Sequence, residues 1–254
     1  MGSLALLPRA ALAAAGIAVT VAGWALGAAL LQATTPVASA FAPERALAAL
    51  VTLLGQTEIW RHALTSLRRV LVGLALATAT GIPLGLLVGT SRYFAAASST
   101  VFQFLRMVSP LSWMPLAVMV LGVGDAPVYF LLAFAGVWPV LLNTASGVAQ
   151  LDPNWLALAH SLSATRFELI WRVVLPGVTA SILTGIRLAI GLSWIVLVPA
   201  EMLGVSAGLG YFILDTRDRL AYSELMAGIL LIGLLGFCLD HLARALHRRW
   251  LHVQ

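Results

Sequence analysis

The chain has 254 residues, of which 61% are hydrophobic and 10% are charged, and its formal net charge is +5. This composition excludes an ordinary soluble domain and predicts a protein of the lipid bilayer. All fifteen basic residues are arginines, which excludes a Walker-type phosphate loop because that loop needs a lysine on the nucleotide phosphates. Any role driven by ATP therefore requires a partner protein.

Other classes of function find no support in the sequence. Cys238 is the single cysteine, so the chain can form neither an internal disulfide nor a multi-cysteine metal site. The arginines are scattered along the chain, which argues against a nucleic-acid interface. No Ser/His, paired-Asp or HExxH arrangement lies within an apolar run, so we assign no catalytic residue and no metal ligand.

Six apolar runs are each long enough for a membrane helix of about 20 residues. In chain order they lie at residues 10–31, 67–89, 101–121, 126–148, 184–203 and 225–243. The first run is predicted to be a retained helix and not a signal peptide, because it is long and no convincing cleavage site precedes Gln32. Residues 33–56 are compatible with a short helix at the outer surface.

The arginines also predict the orientation. With six spans and an inner N-terminus, nine arginines fall on inner segments and six on outer segments. An excess of arginine on the cytoplasmic side favours both termini in the cytoplasm.

Two spans carry interpretable small or helix-breaking residues. Gly81, Gly85 and Gly89 clear one face of the second span at four-residue spacing, which favours close packing inside the chain over a contact between two copies. Pro110 and Pro115 interrupt the third span, which is therefore predicted to face protein or a water-filled cavity. The connection at residues 122–125 is so short that the third and fourth spans must form an antiparallel hairpin.

The segment between the fourth and fifth spans, residues 152–176, reads DPNWLALAHSLSATRFELIWRVVLP. Pro153 suits the first turn of a helix that Asp152 caps. Apolar residues then recur at three- and four-residue spacing, first at Trp155, Leu158 and Leu162, and again from Phe167 onward. The pattern predicts two short amphipathic helices with a bend at Ser163 and Ala164. Such helices either dock in a groove of another protein or rest on lipid headgroups, and periodicity alone leaves both readings open.

This segment resembles the cytoplasmic coupling loop of binding-protein-dependent permeases of the ATP-binding-cassette superfamily. The family pattern has Glu-Ala-Ala, a glycine four residues after the last alanine, and a terminal Leu-Pro. This chain keeps the second alanine as Ala159 and ends in Leu175-Pro176, but it has Ala157 in place of the glutamate and Ser163 in place of the glycine.

The resemblance extends over about two thirds of the sequence. It includes SLRRVLVGLALATATGIPLGLLVGTSR from Ser66, MVSPLSWMPLAVMVLGVG from Met107, VWPVLLNTASGV from Val137 and TGIRLAIGLSWIVLVPAEMLGVSAGLGYFI from Thr184. These segments look most like the nitrate, sulfonate, taurine and bicarbonate branch, and closest to its nitrate-type permeases.

The resemblance implies an all-α integral membrane protein of type I ABC importer architecture, with six transmembrane helices and a cytoplasmic coupling helix. Residues 1–254 would form a single permease domain, with a first helix at about 10–31, a core at about 60–250 and a coupling loop at about 149–176. The chain would lie in the bacterial cytoplasmic (inner) membrane as a multi-pass subunit. It would itself be no enzyme and would hold no cofactor.

The implied partners are two ATP-binding subunits, which would carry ATP and magnesium, a second permease copy in a homodimer, and an extracytoplasmic substrate-binding protein. The coupling loop would move the spans between inward-open and outward-open states as ATP is bound and hydrolysed. The residues expected to contact the ATPase are Asn154, Trp155, Leu158, Ala159, His160, Leu162, Ser163, Ala164, Arg166, Phe167, Leu175 and Pro176.

The substrate path is less clearly marked. Mid-span candidates for lining it are Trp113, Met114, Trp138, Asn143, Trp194 and Glu201. Glu201 is interpreted as a gate or a structural ion pair in preference to a direct contact with an anion, because carboxylates within a membrane usually face a cavity or a partner. Arg106 and Arg187 could attract an anion, but they are placed near the inner boundary, where snorkelling to headgroups explains them equally well. The alternative function is a proton-coupled secondary transporter, which the titratable Glu201, Asp240 and His241 would serve.

Overall fold

The structure is a computed structural model that describes residues 9–33 and 35–251, and the secondary structure of these residues is helical, without strands. Within the described residues, five helices are long and apolar enough to cross a membrane. A sixth crossing results if the bent pair Arg92–Met107 and Pro110–Leu121 counts as one span. The expected all-α membrane architecture is confirmed.

The helices follow one another with short connections. The first part of the chain forms α1 (Arg9–Gln32), a 3₁₀ turn (Pro36–Phe41), α2 (Pro43–Leu54) and α3 (Thr57–Thr90). It continues with α4 (Arg92–Met107), a 3₁₀ turn (Pro110–Trp113), α5 (Met114–Leu121) and α6 (Asp125–Ala149). The segment after α6 forms α7 (Pro153–Ser161), α8 (Arg166–Glu168), a π-helical turn (Leu169–Val174) and α9 (Leu175–Gly177). The last helices are α10 (Thr179–Glu201), α11 (Leu209–Asp218) and α12 (Tyr222–Leu251).

The predicted third span is not one straight helix. The structure begins it earlier, with α4 at Arg92, and bends it by 88° between α4 and the segment Pro110–Leu121. Val108 and Ser109 are extended at the bend (ψ 125° and 130°). The residue before a proline is disfavoured in the helical region, so Pro110 ends α4 and starts a new helix.

The described residues form two compact units: one takes those within Met1–Trp60 and Phe212–Ile232, and the other those within Arg61–Tyr211 and Gly233–Gln254. In the first unit, the Trp24 indole donates a hydrogen bond of 2.9 Å to the Phe41 carbonyl. The Phe41 ring meets Tyr222 edge-on, with centroids 5.5 Å apart. These contacts fasten the 3₁₀ turn to the helices around it.

In the second unit, the glycine face of α3 packs on α6. A β-carbon at Gly81, Gly85 or Gly89 would lie 2.5–2.9 Å from atoms of α6, which is closer than side chains tolerate. The prediction of close packing inside the chain is therefore confirmed for these three glycines. Their missing side chains let the two backbones approach, as small residues do in membrane helix pairs.

The α5–α6 hairpin is confirmed as well. Gly122 and Gly124 adopt positive φ angles (80° and 128°), a region open to glycine without strain, and so reverse the chain. Met114 of α5 then packs with Leu131 of α6 and Leu197 of α10 in one buried cluster. This cluster makes α5, α6 and α10 the core of the second unit.

Candidate functional site

The first half of the coupling segment, as we call residues 152–176, is an amphipathic helix with its larger apolar face uncovered. The Asp152 carboxylate accepts a hydrogen bond of 2.9 Å from the Asn154 backbone N–H and so caps α7. Ala159 is buried, whereas Trp155, Leu158 and Leu162 are 53%, 61% and 74% exposed. Three large apolar side chains that are exposed on one stripe indicate a surface that binds another protein or a membrane.

The bend after α7 is set by a left-handed residue. Ser163 has φ +55°, and the Ala164 N–H donates to the Ala159 carbonyl at 3.0 Å, the bond that closes a Schellman turn. Glycine is the usual residue at this left-handed position, so the turn accounts for the glycine that the family pattern has here. The serine keeps the same backbone conformation at a cost in strain.

A capping box starts the second half. The Thr165 hydroxyl accepts from the Glu168 backbone N–H at 3.3 Å, and the Glu168 carboxylate accepts from the Thr165 backbone N–H at 3.0 Å. The hydrogen bond from the Thr165 backbone holds the pKa of Glu168 below its ordinary value. The π-helical turn that follows is a feature the periodicity did not predict. It leaves the Phe167 and Trp171 rings exposed and in contact, with centroids 5.8 Å apart.

The two halves of the coupling segment enclose a groove of about 660 Å³, which we call the coupling groove. The residues that line it are Trp155, Leu158, Ala159, Leu162, Ala164, Glu168, Arg172, Val173, Pro176 and Gly177. Of the residues expected to contact an ATPase, Asn154, Ser163, Arg166, Phe167 and Leu175 lie on the same segment outside this lining. His160 belongs to α7, but its side chain lies outside the described residues.

The base of the coupling segment is packed into the ends of the long helices. Val174, with 1% exposure, forms a buried cluster with Val148 of α6 and with Val178 and Ile182 at the start of α10. Leu156 of α7 packs against the same cluster. A displacement of α7 therefore bears directly on α6 and α10.

A buried ion network closes the opposite end of α6 and α10. The Arg69 guanidinium donates to the Glu201 carboxylate at 2.6 Å and to Asp125 at 2.6 Å and 2.9 Å. Glu201 has no exposed surface and also accepts from the Ser66 hydroxyl at 2.8 Å and the Gly210 N–H at 2.9 Å. Sequence reasoning considered Glu201 but missed Ser66 and Arg69. Their only signal was an SLRR motif at the edge of an apolar run.

The candidate path residues fall into different places. Trp138 and Asn143 line a cavity between α6 and α10, and Asn143 donates to the Pro139 carbonyl at 2.8 Å. Met114 is 3% exposed in the core cluster, and Trp113 packs beside it. The Trp194 indole lies where a β-carbon at Gly236 would be 2.5 Å away. Four of the six candidates therefore lie in packed surroundings, including Glu201 in its ion network.

Arg106 and Arg187 also differ from each other. Arg187 pairs with Asp240 at 3.7 Å. Arg106 lines the cavity that Trp138 lines next to the midpoint of α6. α4 begins at Arg92, before the predicted start of the span, so Arg106 lies in its last turn and not near its beginning.

A family model described as "binding-protein-dependent transport system inner membrane component" matches residues 81–252. The chain is 37% identical over 190 residues to the bicarbonate transport system permease protein CmpB of Synechococcus elongatus, a match that covers 74% of this chain and 68% of the relative. It is 37% identical to the nitrate import permease protein NrtB of Leptolyngbya laminosa, over 72% of this chain and 65% of that one. It is 33% identical to the taurine transport system permease protein TauC of Escherichia coli, over 82% of this chain and 77% of that one.

Among solved structures, a chain of the MetNI methionine ABC transporter in an inward-facing conformation superposes with a TM-score of 0.62 at 14% sequence identity. The match covers 75% of this chain and 95% of that chain, and it shows a shared fold. The family match and the relatives confirm the resemblance to binding-protein-dependent permeases. The chain belongs to the family of binding-protein-dependent transport system inner membrane components, the permease subunits of ATP-binding-cassette importers.

Proposed function

We propose that this permease imports a small anion and that its coupling groove receives an ATP-hydrolysing subunit. The observation that carries the second statement is the exposed stripe of Trp155, Leu158 and Leu162 on a capped helix. The first statement is supported by the relatives, whose names assign them to bicarbonate, nitrate and taurine transport.

The docked helix would act on the spans through the buried cluster at its base. Val174 joins the coupling segment to Val148 and Val178, so the segment and the ends of α6 and α10 are expected to move together. Packed cores respond to displacement by discrete rearrangement and not by continuous deformation. ATP binding and hydrolysis in the partner would in this way alternate the access of the substrate path.

The full assembly follows from the same proposal. Two ATP-binding subunits, holding ATP and magnesium, would dock on two copies of this chain, and an extracytoplasmic binding protein would deliver the anion. The chain itself would contribute no nucleotide site, since it contains no lysine. The coupling segment and both termini would face the cytoplasm of a bacterial cell.

A proton-coupled secondary transporter is the competing function. Two of the three titratable groups that would serve it are engaged in ion pairs: Glu201 with Arg69, and Asp240 with Arg187 and Arg244. The third, His241, packs against the Phe237 ring, with centroids 4.3 Å apart. Proton-driven uptake into liposomes that contain this chain without any ATPase would support that competing function.

The docking surface is tested by co-purification with candidate ATPase subunits encoded beside the gene. Leu162→Ser removes one exposed apolar side chain of the stripe, and burial of a leucine is worth about 1.5–3 kcal/mol, so association should weaken at least about tenfold. Val123→Ser is the matched control, because Val123 is 81% exposed in the loop at the opposite end of α6.

The control variant should bind like the parent chain. Equal binding by Leu162→Ser and the parent, or failure of every candidate ATPase to bind the parent, would contradict the proposed docking.

A further inference from the structure

A cavity of about 410 Å³ lies between the long helices of the second unit, away from the coupling groove. That volume is within the range of small-molecule sites. Trp138 and Pro139 line it from α6, and Leu188 and Leu192 line it from α10. These residues lie next to the midpoints of two helices that each have the length and composition of a membrane span. The cavity is therefore near the middle of the bilayer.

Arg106 of α4 contributes the charge of this cavity and also lines a smaller neighbouring one of about 270 Å³. The ion pairs found among the described residues use other arginines and leave Arg106 without a carboxylate. The middle of a bilayer is about 15 Å from either headgroup layer, which is beyond the reach of an arginine side chain. Headgroup contact therefore does not explain an arginine at this depth, and such residues mark ligand and ion pathways.

Trp138, which lines the cavity with Arg106, carries an unmatched donor. The indole nitrogens of Trp138 and Trp113 are both buried without a hydrogen-bond partner among the described residues. The two rings are joined through Phe134, whose centroid lies 5.6 Å from each. An indole N–H donates only, and a buried donor without an acceptor is unfavourable. The residues that line the cavity include no acid, so no carboxylate there competes with an anion for Arg106.

We propose that this cavity is an anion site on the transport path, in which the Arg106 guanidinium holds a small oxyanion beside the Trp138 side chain. The inference rests on the proposed function, because it names where the imported anion is held. A guanidinium offers two parallel N–H donors to an oxyanion and remains charged at any physiological pH. Arg106 is exposed in the single chain, so an anion can reach its guanidinium.

The test measures the electrostatic preference of the cavity directly, in membranes that contain the full chain. Cys238 is replaced by serine, and Leu142→Cys places one thiol on the wall that both cavities share. Two methanethiosulfonate reagents of similar size, one carrying a sulfonate and one a trimethylammonium group, then compete for this thiol. With Arg106 present, the ratio of anionic to cationic reaction rates should be about tenfold higher than in Arg106→Gln, and Arg106→Lys should retain most of the difference.

Nitrate, added at constant ionic strength, should slow the anionic reagent when Arg106 is present and leave the rate unchanged in Arg106→Gln. A cysteine at Val123, in the exposed loop before α6, is the matched control and should show the same rate ratio in both backgrounds. A rate ratio at position 142 that Arg106→Gln does not alter, or a parent chain on which nitrate has no effect, would overturn the anion site.

These readouts need no ATPase. A failure here would leave ATPase association at the coupling groove untouched, and a failure of that association would leave the rate ratios as measured. The two proposals are therefore tested independently of each other.

Discussion

Ser163 is the residue on which the shape of the coupling segment depends. Its left-handed conformation costs a side-chain-bearing residue about 1 kcal/mol, which glycine avoids. Ser163→Gly should therefore stabilise the bend by about that amount and slow hydrogen exchange at the Ala164 amide, whose bond to Ala159 closes the turn.

Ser161→Gly is the matched control, because Ser161 is still helical and glycine in a helix is unfavourable by roughly 0.5–1 kcal/mol. It should speed the same exchange. An equal response of the Ala164 amide to both substitutions would show that the left-handed angle does not limit the stability of the bend.

Substitution of Glu201 should lower the free energy of unfolding strongly. Glu201→Gln leaves the Arg69 charge, which is 3% exposed, without its buried partner, and breaking such a pair destabilises by about 3–5 kcal/mol. Asp125 remains on Arg69, so we expect a loss of about 3 kcal/mol in the free energy of unfolding, measured by denaturant titration in detergent.

Asp218→Asn removes the acid of an exposed pair with Arg217 and should change stability by less than about 1 kcal/mol. Similar losses for Glu201→Gln and Asp218→Asn would mean that the network at the end of α10 contributes no more than a surface pair.

The backbones of α3 and α6 approach each other closely at Gly85. A β-carbon there would lie 2.6 Å from both the Leu141 carbonyl oxygen and the Thr144 β-carbon, so Gly85→Ala must push the two helices apart. We expect a loss of about 1–3 kcal/mol in unfolding free energy. Gly23→Ala in α1 has open space around it and should be neutral or slightly stabilising. A neutral Gly85→Ala would show that α3 and α6 separate easily.

The elements were largely predictable from the sequence because their signals are local. Apolar runs placed α3, α6 and α10, and the spacing of Trp155, Leu158 and Leu162 predicted both α7 and its exposed stripe. The bend of 88° was not predicted, because prolines mark a break without giving its angle. Neither was the π-helical turn, since its apolar spacing is also compatible with an α-helix.

The charged contacts were less predictable, because they join segments far apart in the chain. Arg69 meets Asp125 and Glu201 only after α3, α6 and α10 have packed, and no local pattern carries that information. Arg106 shows the same limit: it meets Trp138 and Leu188 at one cavity only after α4, α6 and α10 have packed. The resemblance to permeases predicted the coupling segment but gave no guide to these arginines.

Across the second unit, α6 and α10 carry different kinds of contact at their two ends. At one end the ion network of Arg69, Asp125 and Glu201 holds fixed, directional bonds. At the other end the contacts around Val174 and Val178 are apolar, with the exposed coupling groove beyond them. Apolar side chains can shift against one another without breaking directional bonds, whereas movement at the other end must break ion pairs. We therefore expect the end near the groove to move more readily and to transmit the movement of the ATPase to α6 and α10.

This arrangement predicts that docking and coupling can be separated by mutation. Val174→Ala removes buried methyl groups between the groove and the long helices without altering the exposed stripe. The complex with the ATPase should therefore form as before, whereas the coupling free energy should fall by about 1 kcal/mol, roughly a fivefold drop in anion imported per ATP hydrolysed.

The measurement compares uptake and ATP turnover in liposomes that contain the complete importer. Val173→Ala is the control, because Val173 lines the groove but lies outside the buried cluster. It should weaken ATPase binding more than it lowers the ratio of uptake to ATP turnover. If Val174→Ala lowers ATPase association and leaves the ratio of uptake to turnover unchanged, the buried cluster supports the docking surface and does not transmit its movement to α6 and α10.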